Sequence, residues 1–256
     1  MQILDKRYFN LLREIVISQF KLKDQSTFLG LLWSLLNPLV MLLVLLLFFS
    51  LNAGRGIPHY GIYVLFGVIH LTHFSNSTSS AMTVLTSMRE LTCNAVFPKE
   101  ILVVGSVLAN SVEFVISISI GILIAYCSGV RIWWTVTLIP LIILLQILTT
   151  LWISFALSCL HVFVKDVGHI YQVFLRVLIF VTPIFYTPAY LGRGAARYIV
   201  SLNPLARLIG FSRAAIIDGI PVSMRLLLIF GTANAVGVFI TVCLFKHYEA
   251  RFAESV

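Results

Sequence analysis

Long apolar runs separated by short polar seams set the pattern of this chain. A run of about 18 or more apolar residues with few charges reads as a membrane-crossing helix, because only a helix satisfies its own backbone inside lipid. Six such spans are expected, at about 28–51, 62–84, 101–127, 134–164, 170–186 and 226–245. The first opens on the capping pair Ser26-Thr27. It contains Asn37-Pro38, where a kink is expected because proline lacks the ladder donor and crowds the preceding turn. The second is the least oily, with His70, His73, Ser77 and Ser80 near one face that should point to protein or to a wet path. In the third, Ser117, Gly121 and Ala125 repeat four apart and offer a close-packing surface to another helix. Glu113 in the same span reads either as a functional carboxylate or as an interhelical hydrogen-bonding group. Trp133-Trp134 opens the fourth span at the interface, and Lys246-His247-Tyr248 closes the sixth as a basic and aromatic anchor.

Two stretches break the spanning pattern. Residues 3–20 place Leu4, Tyr8, Leu11, Leu12, Ile15 and Val16 on one helical face and Lys6, Arg7, Asn10, Arg13 and Glu14 opposite. Such a helix lies in the headgroup plane or packs on a soluble partner. Between Thr187 and Arg225 the chain is too polar for one span, with Arg193, Arg197, Arg207, Arg213 and Asp218, yet too apolar for a solvated loop. Pro188, Gly192, Pro204 and Pro221 cut it into short pieces suited to re-entrant or interfacial helices over 188–222. The expected fold is an all-α polytopic membrane protein: one transmembrane domain over 1–256, with an interface helix at 1–25 and short re-entrant helices before the last span.

Composition agrees: 59% of residues are hydrophobic and 11% charged, against roughly 25% charged in an ordinary soluble domain. Lys and Arg exceed Asp and Glu by 18 to 10. The basic residues sit in loops and at span ends, where anionic lipid headgroups attract them, so no nucleic-acid partner is expected. Lys6, Arg7, Arg13, Lys21, Lys23, Arg89, Lys99, Lys165, Lys246 and Arg251 share one side, with Arg55 and Arg131 in the short opposite loops. That bias places both termini in the cytoplasm, although the arginines before the last span fall on the other side. Cys93, Cys127, Cys159 and Cys243 are widely spaced and read as packed small residues rather than metal ligands. The charged N-terminal stretch does not read as a cleavable signal peptide.

Phosphate-loop, zinc-pair and nucleophile-elbow motifs are missing from the sequence. The chain is therefore expected to be no enzyme, to hold no metal or cofactor, and to hydrolyse no nucleotide. A transporter of this kind uses an ion gradient or borrows a motor. Halves 1–128 and 129–256 show no internal repeat of the sort common in gradient-driven carriers. A borrowed motor needs docking surfaces, and the loop from Arg89 to Glu100 is equipped for one. Residues 87–96 can form a short surface helix, Phe97 can enter a groove, and Pro98 with Glu100 suits a helix N-terminus. Taken alone, the same stretch also reads as an ordinary capped loop.

"LGLLWSLLNPLV" (29–40), "FPKE" (97–100), "TPIFY" (182–186) and "LNPL" (202–205) follow the amphipathic start in that order. With the charge pair at 165–166, this arrangement resembles the permease subunits of ABC-2-type exporters, and within them the bacterial O-antigen and capsular polysaccharide exporters. The resemblance covers nearly the whole chain. It implies a homodimer in the bacterial inner membrane, docked to two copies of a nucleotide-binding ATPase subunit that holds ATP and Mg2+. Residues 88–97 would be the coupling helix, making Arg89, Glu90, Phe97, Pro98, Lys99 and Glu100 the ATPase-facing set. Lys165 and Asp166 would be a second contact, where many relatives carry Arg-Asp; a lysine keeps the charge and loses the bidentate fork.

The implied substrate is a lipid-linked polysaccharide, a glycan on a polyprenyl diphosphate. Its C–H faces suit aromatic rings and its hydroxyls suit polar side chains. Trp33, Tyr171, Phe174, Phe185 and Tyr186 are the aromatic candidates for the path, with Asn37 and Arg176 as polar ones. Arg176 would meet the diphosphate or snorkel to headgroups. Alternatives are an ABC-2 exporter of a teichoic-acid-like polymer or lipophilic drug, and a proton-coupled carrier using Glu113, His70 and His73.

Overall fold

The computed structural model describes residues 2–24, 57–94, 98–188 and 194–255, with residues 36, 39–41 and 43–44 between the first two blocks. The first expected span, including Trp33 and Asn37-Pro38, lies largely outside the described residues. Helices are α1 (Gln2–Asp24), α2 (Tyr60–Ser87), α3 (Arg89–Asn94), α4 (Glu100–Cys127), α5 (Ile139–Phe163), α6 (Val167–Val181), α7 (Ala195–Leu202), α8 (Pro204–Arg213) and α9 (Met224–Ser255). A 3-10 turn, Trp134–Leu138, leads into α5, and a π turn, Ala214–Asp218, follows α8. No strand occurs among the described residues, as the all-α expectation requires. Among the described residues, three helical stretches are long and apolar enough to cross a membrane: Glu100–Cys127, Trp134–Phe163 and Met224–Phe252.

Helix α2 has 28 residues, a length of about 42 Å, but carries more polar side chains than those three. Its position explains how. It packs against α4 and α5 over most of its length and against α6 and α8 at its flanks. His70 and His73 are buried, with every ring nitrogen facing protein. His70 Nδ1 pairs with Gln146 Oε1 at 3.1 Å and its Nε2 with Ser212 Oγ at 2.7 Å. His73 Nδ1 pairs with Gln146 Nε2 and its Nε2 with Ser111 Oγ, both at 3.3 Å. One network thus ties α2, α4, α5 and α8, and Phe114 lies against both imidazoles. Buried polar groups are costly unless paired, and both imidazoles find their partners in protein. The face expected to avoid lipid therefore turns to the interior.

The small-residue stripe also performs as expected. Ser117, Gly121 and Ala125 are buried, and Gly121 lies against Phe66 and Ile69 of α2. Between α5 and α9 the seam is polar at one level. Thr149 Oγ1 and Trp152 Nε1 both donate to Asn234 Oδ1, at 2.8 and 3.1 Å.

Helix α1 turns its apolar face onto protein. Tyr8, Leu11, Leu12 and Ile15 pack against a cluster built from Leu85, Ile101, Leu102 and Phe252. Ile15 reaches α4 where Gly105 leaves room; a Cβ at Gly105 would meet Ile15 Cγ2 at 2.6 Å.

Helix α9 extends ten residues beyond the expected span end at 245. No glycine or proline interrupts residues 238–255, and Thr241, Phe245 and Phe252 keep a buried stripe at helical spacing. The charged anchor at Lys246 therefore marks a change of surroundings within a continuing helix.

In the proline-cut region, Asn203 accepts from the Leu205 N–H at 3.0 Å and donates to Thr182 Oγ1 at 2.9 Å, capping α8 with Pro204 in its first turn. Gly219 ends the π turn with φ of +63°. That left-handed conformation favours glycine, and an added Cβ would overlap the Trp133 indole.

Candidate functional site

Two ends of the bundle can be told apart by what gathers there. At one, α3, the start of α4, the turn between α5 and α6, and the last turns of α9 come together. Arg89 and Glu90 open α3 and are exposed, with Glu90 in the first turn where a carboxylate suits the helix dipole. Thr92 is buried and donates to the carbonyls of Leu85 at 2.9 Å and Met88 at 3.0 Å, fixing the angle between α2 and α3. The short surface helix expected over 87–96 is thus present over Arg89–Asn94. Phe97 lies outside the described residues. Pro98 is exposed, and the α4 helix begins two residues later at Glu100.

The start of α4 is held by α9. Glu249 Oε1 accepts from the Lys99 backbone N–H at 2.8 Å, and Lys99 Nζ donates to the Glu249 carbonyl at 3.3 Å. Glu100 is 8% exposed and pairs with Lys246 at 3.2 Å. Tyr8 of α1 sits beside this pair. Burial first, then the Glu100 carboxylate, push its phenol above the ordinary value, with Lys246 opposing. On the neighbouring corner, Lys165 and Asp166 are exposed in the tight turn before α6, whose N–H groups at Gly168 and Ile170 return to the carbonyls of Lys165 and Asp166.

Along the bundle, α2 and α6 leave an open groove of about 610 Å³ lined by Ser75, Asn76 and Ser79 on one side and Gln172 and Arg176 on the other. Leu71, Leu175 and Ile179 supply its apolar parts. These polar groups recur at i, i+4 on both helices, so each helix presents one hydrophilic stripe. Arg176 is exposed here. Phe174 is half exposed but does not line the groove, and its ring stacks on Tyr171 with centroids 5.8 Å apart.

The remaining aromatic candidates lie deeper. Tyr171 is 6% exposed, and its hydroxyl donates to Thr78 Oγ1 at 2.5 Å, so it fastens α6 to α2. Phe185 is 9% exposed within a cluster containing Val64, Ile184 and Leu205. Tyr186 is half-buried and donates to the Phe180 carbonyl at 3.0 Å. Trp33 and Asn37 lie outside the described residues.

At the opposite end Arg213 does what sequence reasoning missed. It is 5% exposed, and its guanidinium donates to the carbonyls of Tyr63 at 2.9 Å, Pro183 at 2.7 Å and Ile184 at 2.8 Å. It also lies 3.3 Å from the Tyr63 ring centroid. Tyr60 and Tyr63 hydroxyls bind the Phe185 and Tyr186 carbonyls at 3.0 and 3.1 Å. The irregular segment after α6 is thereby tied to the start of α2 by side chains, in place of backbone ladder bonds. Among the described residues no cluster of histidine, cysteine or carboxylate side chains can hold a metal.

Residues 10–217 match the ABC-2 type transporter family, and the chain belongs to that family. It is an integral membrane protein and a permease-type subunit. Among its relatives is the O-antigen export system permease protein RfbA of Myxococcus xanthus, 26% identical over 98% of this chain and 96% of the relative. Two permeases of the same name from Klebsiella pneumoniae are 24% and 25% identical, each over 96% of this chain and 95% of the relative.

Proposed function

We propose that this chain is the permease subunit of an ATP-driven exporter that moves a polyprenyl-diphosphate-linked O-antigen or capsular-type polysaccharide from cytoplasm to periplasm. The observation that carries the reading is the end-to-end correspondence with permeases named for O-antigen export. The chain acts in the bacterial inner membrane as a homodimer of six-span, single-domain subunits, both termini cytoplasmic, with 188–222 forming re-entrant pieces on the periplasmic side. Two nucleotide-binding subunits bind ATP and Mg2+ and dock on α3 and on the Lys165-Asp166 turn. Arg89, Glu90, Pro98, Lys99 and Glu100 belong to the docking end, and the sequence adds Phe97 as a docking candidate.

In this reading the α2–α6 groove is part of the glycan path. Amide, hydroxyl and guanidinium groups from Asn76, Ser79, Gln172 and Arg176 meet sugar hydroxyls and the diphosphate, and Phe174, half exposed on α6 outside the groove lining, offers a ring to a sugar C–H face further along the path. Tyr171, Phe185 and Tyr186 stand behind that surface and hold its shape, and Trp33 and Asn37 are proposed for the same path from the sequence alone. An open polar groove supports a hydroxyl-rich cargo over a lipophilic drug. The pairing of His70 and His73 within the protein argues against a proton relay through them.

Co-expression with a candidate nucleotide-binding subunit tests the reading. The purified complex is expected to contain both chains and hydrolyse ATP, with Glu90→Ala plus Lys165→Ala weakening association. A chain that retains no ATPase subunit under conditions preserving its fold would contradict the proposal.

A further inference from the structure

The last ten residues of α9 leave the apolar stretch and run between the two exposed segments at the α3 end. Toward one of them the contacts are polar and specific. Lys99 immediately precedes α4, and its backbone N–H is one of the donors a helix start leaves without an intrahelical acceptor. Glu249 fills that position from another helix, 150 residues away, while Lys99 Nζ returns to the Glu249 carbonyl. One turn earlier Lys246 faces the nearly buried Glu100. A carboxylate so placed needs its cation, because desolvation otherwise opposes its charge.

Toward the second segment the contacts are aromatic. Phe163, two residues before Lys165, lies 5.8 Å from the rings of both Tyr248 and Phe252. Phe252 is fully buried and stacks edge-on against Phe245 at 4.9 Å, which in turn meets Phe155 of α5 at 5.2 Å. Residues 246–252 therefore grip the start of α4 on one side and the end of α5 on the other.

We infer that this extension of α9 is a brace that locks the α3–α4 junction to the α5–α6 turn, with Lys246 and Glu249 as positioning residues for energy coupling. An ATPase that pushes on either segment then moves α4 and α5 as one body. This inference rests on the permease reading given above.

The test separates the two. Lys246→Ala with Glu249→Ala is prepared in the full-length chain in nanodiscs, without any ATPase, and amide exchange is followed by mass spectrometry. Exchange over residues 98–104 is expected to rise several-fold while the middle of α2 is unchanged, since local opening follows the loss of local contacts. Unchanged exchange over 98–104 overturns the brace, whatever the chain transports. In the assembled complex the same variant is expected to keep ATP hydrolysis and lose export per ATP several-fold. Exchanging the charges, Glu100→Lys with Lys246→Glu, should recover part of that ratio where Lys246→Glu alone does not. A raised exchange with an unaltered export-to-ATP ratio overturns the coupling role. A wild-type chain that carries no ATPase overturns the permease reading and the coupling role with it, and leaves the brace to be judged by exchange.

Discussion

At Arg213 three backbone carbonyls converge on one guanidinium, and the stack on Tyr63 holds its plane. A lysine there has the charge without the fork, so it cannot serve three carbonyls in fixed directions. Arg213→Ala leaves those carbonyls buried without their donor and is expected to cost about 3 kcal/mol or more, with Arg213→Lys recovering only part. Thermal unfolding of the detergent-solubilised protein measures both. Gly219→Ala is expected to cost upward of about 1 kcal/mol, the ordinary penalty of a left-handed residue with a Cβ, and the Trp133 overlap adds to it. If Gly219→Ala unfolds like wild type, the π turn and Trp133 do not pack as described.

Helix α1 depends on one close approach. Gly105→Leu would drive a side chain into Ile15 and is expected to free α1 from α4, seen as faster proteolysis within residues 8–20 while the rest of the chain stays protected. Equal protection in the variant would show that α1 is held by something other than α4.

Local patterns made much of this level legible. The stripe Ser117, Gly121, Ala125 announced a helix partner because small residues four apart share a face, and the polar face of α2 announced an interior position. The start of α4 was legible from Pro98 and Glu100. The partners themselves were not. Glu100 read as a dipole complement and Lys246 as a membrane anchor, each from its own neighbourhood alone. Nothing in a local window pairs residues 146 positions apart in sequence. Arg213 read as a reason the stretch could not span, because a buried guanidinium is recognisable only once its carbonyl acceptors are in place.

Across the whole molecule the exposed surface is strongly apolar. Helix α9 turns Leu228, Val236, Phe239 and Leu244 outward, and α6 turns out Ile170, Val173, Val177 and Phe180. Such faces suit lipid or a second membrane subunit. The α2–α6 groove interrupts that apolar surface with five polar residues. Replacing Asn76, Gln172 and Arg176 together by Ala is expected to lower polysaccharide export by about a hundredfold, as when three hydrogen bonds of ~1 kcal/mol each are lost along a path, with the chain still inserted. Surface O-polysaccharide measured against chain abundance decides it; undiminished export would place the path elsewhere.

Transport itself tests the central claim. Inside-out membrane vesicles carrying this chain and its ATPase are loaded from outside with a lipid-linked polysaccharide, and delivery of the glycan to the lumen is followed. Delivery that requires ATP and persists when the proton gradient is collapsed is the result predicted here. Delivery that proceeds without ATP and stops with the gradient would contradict it.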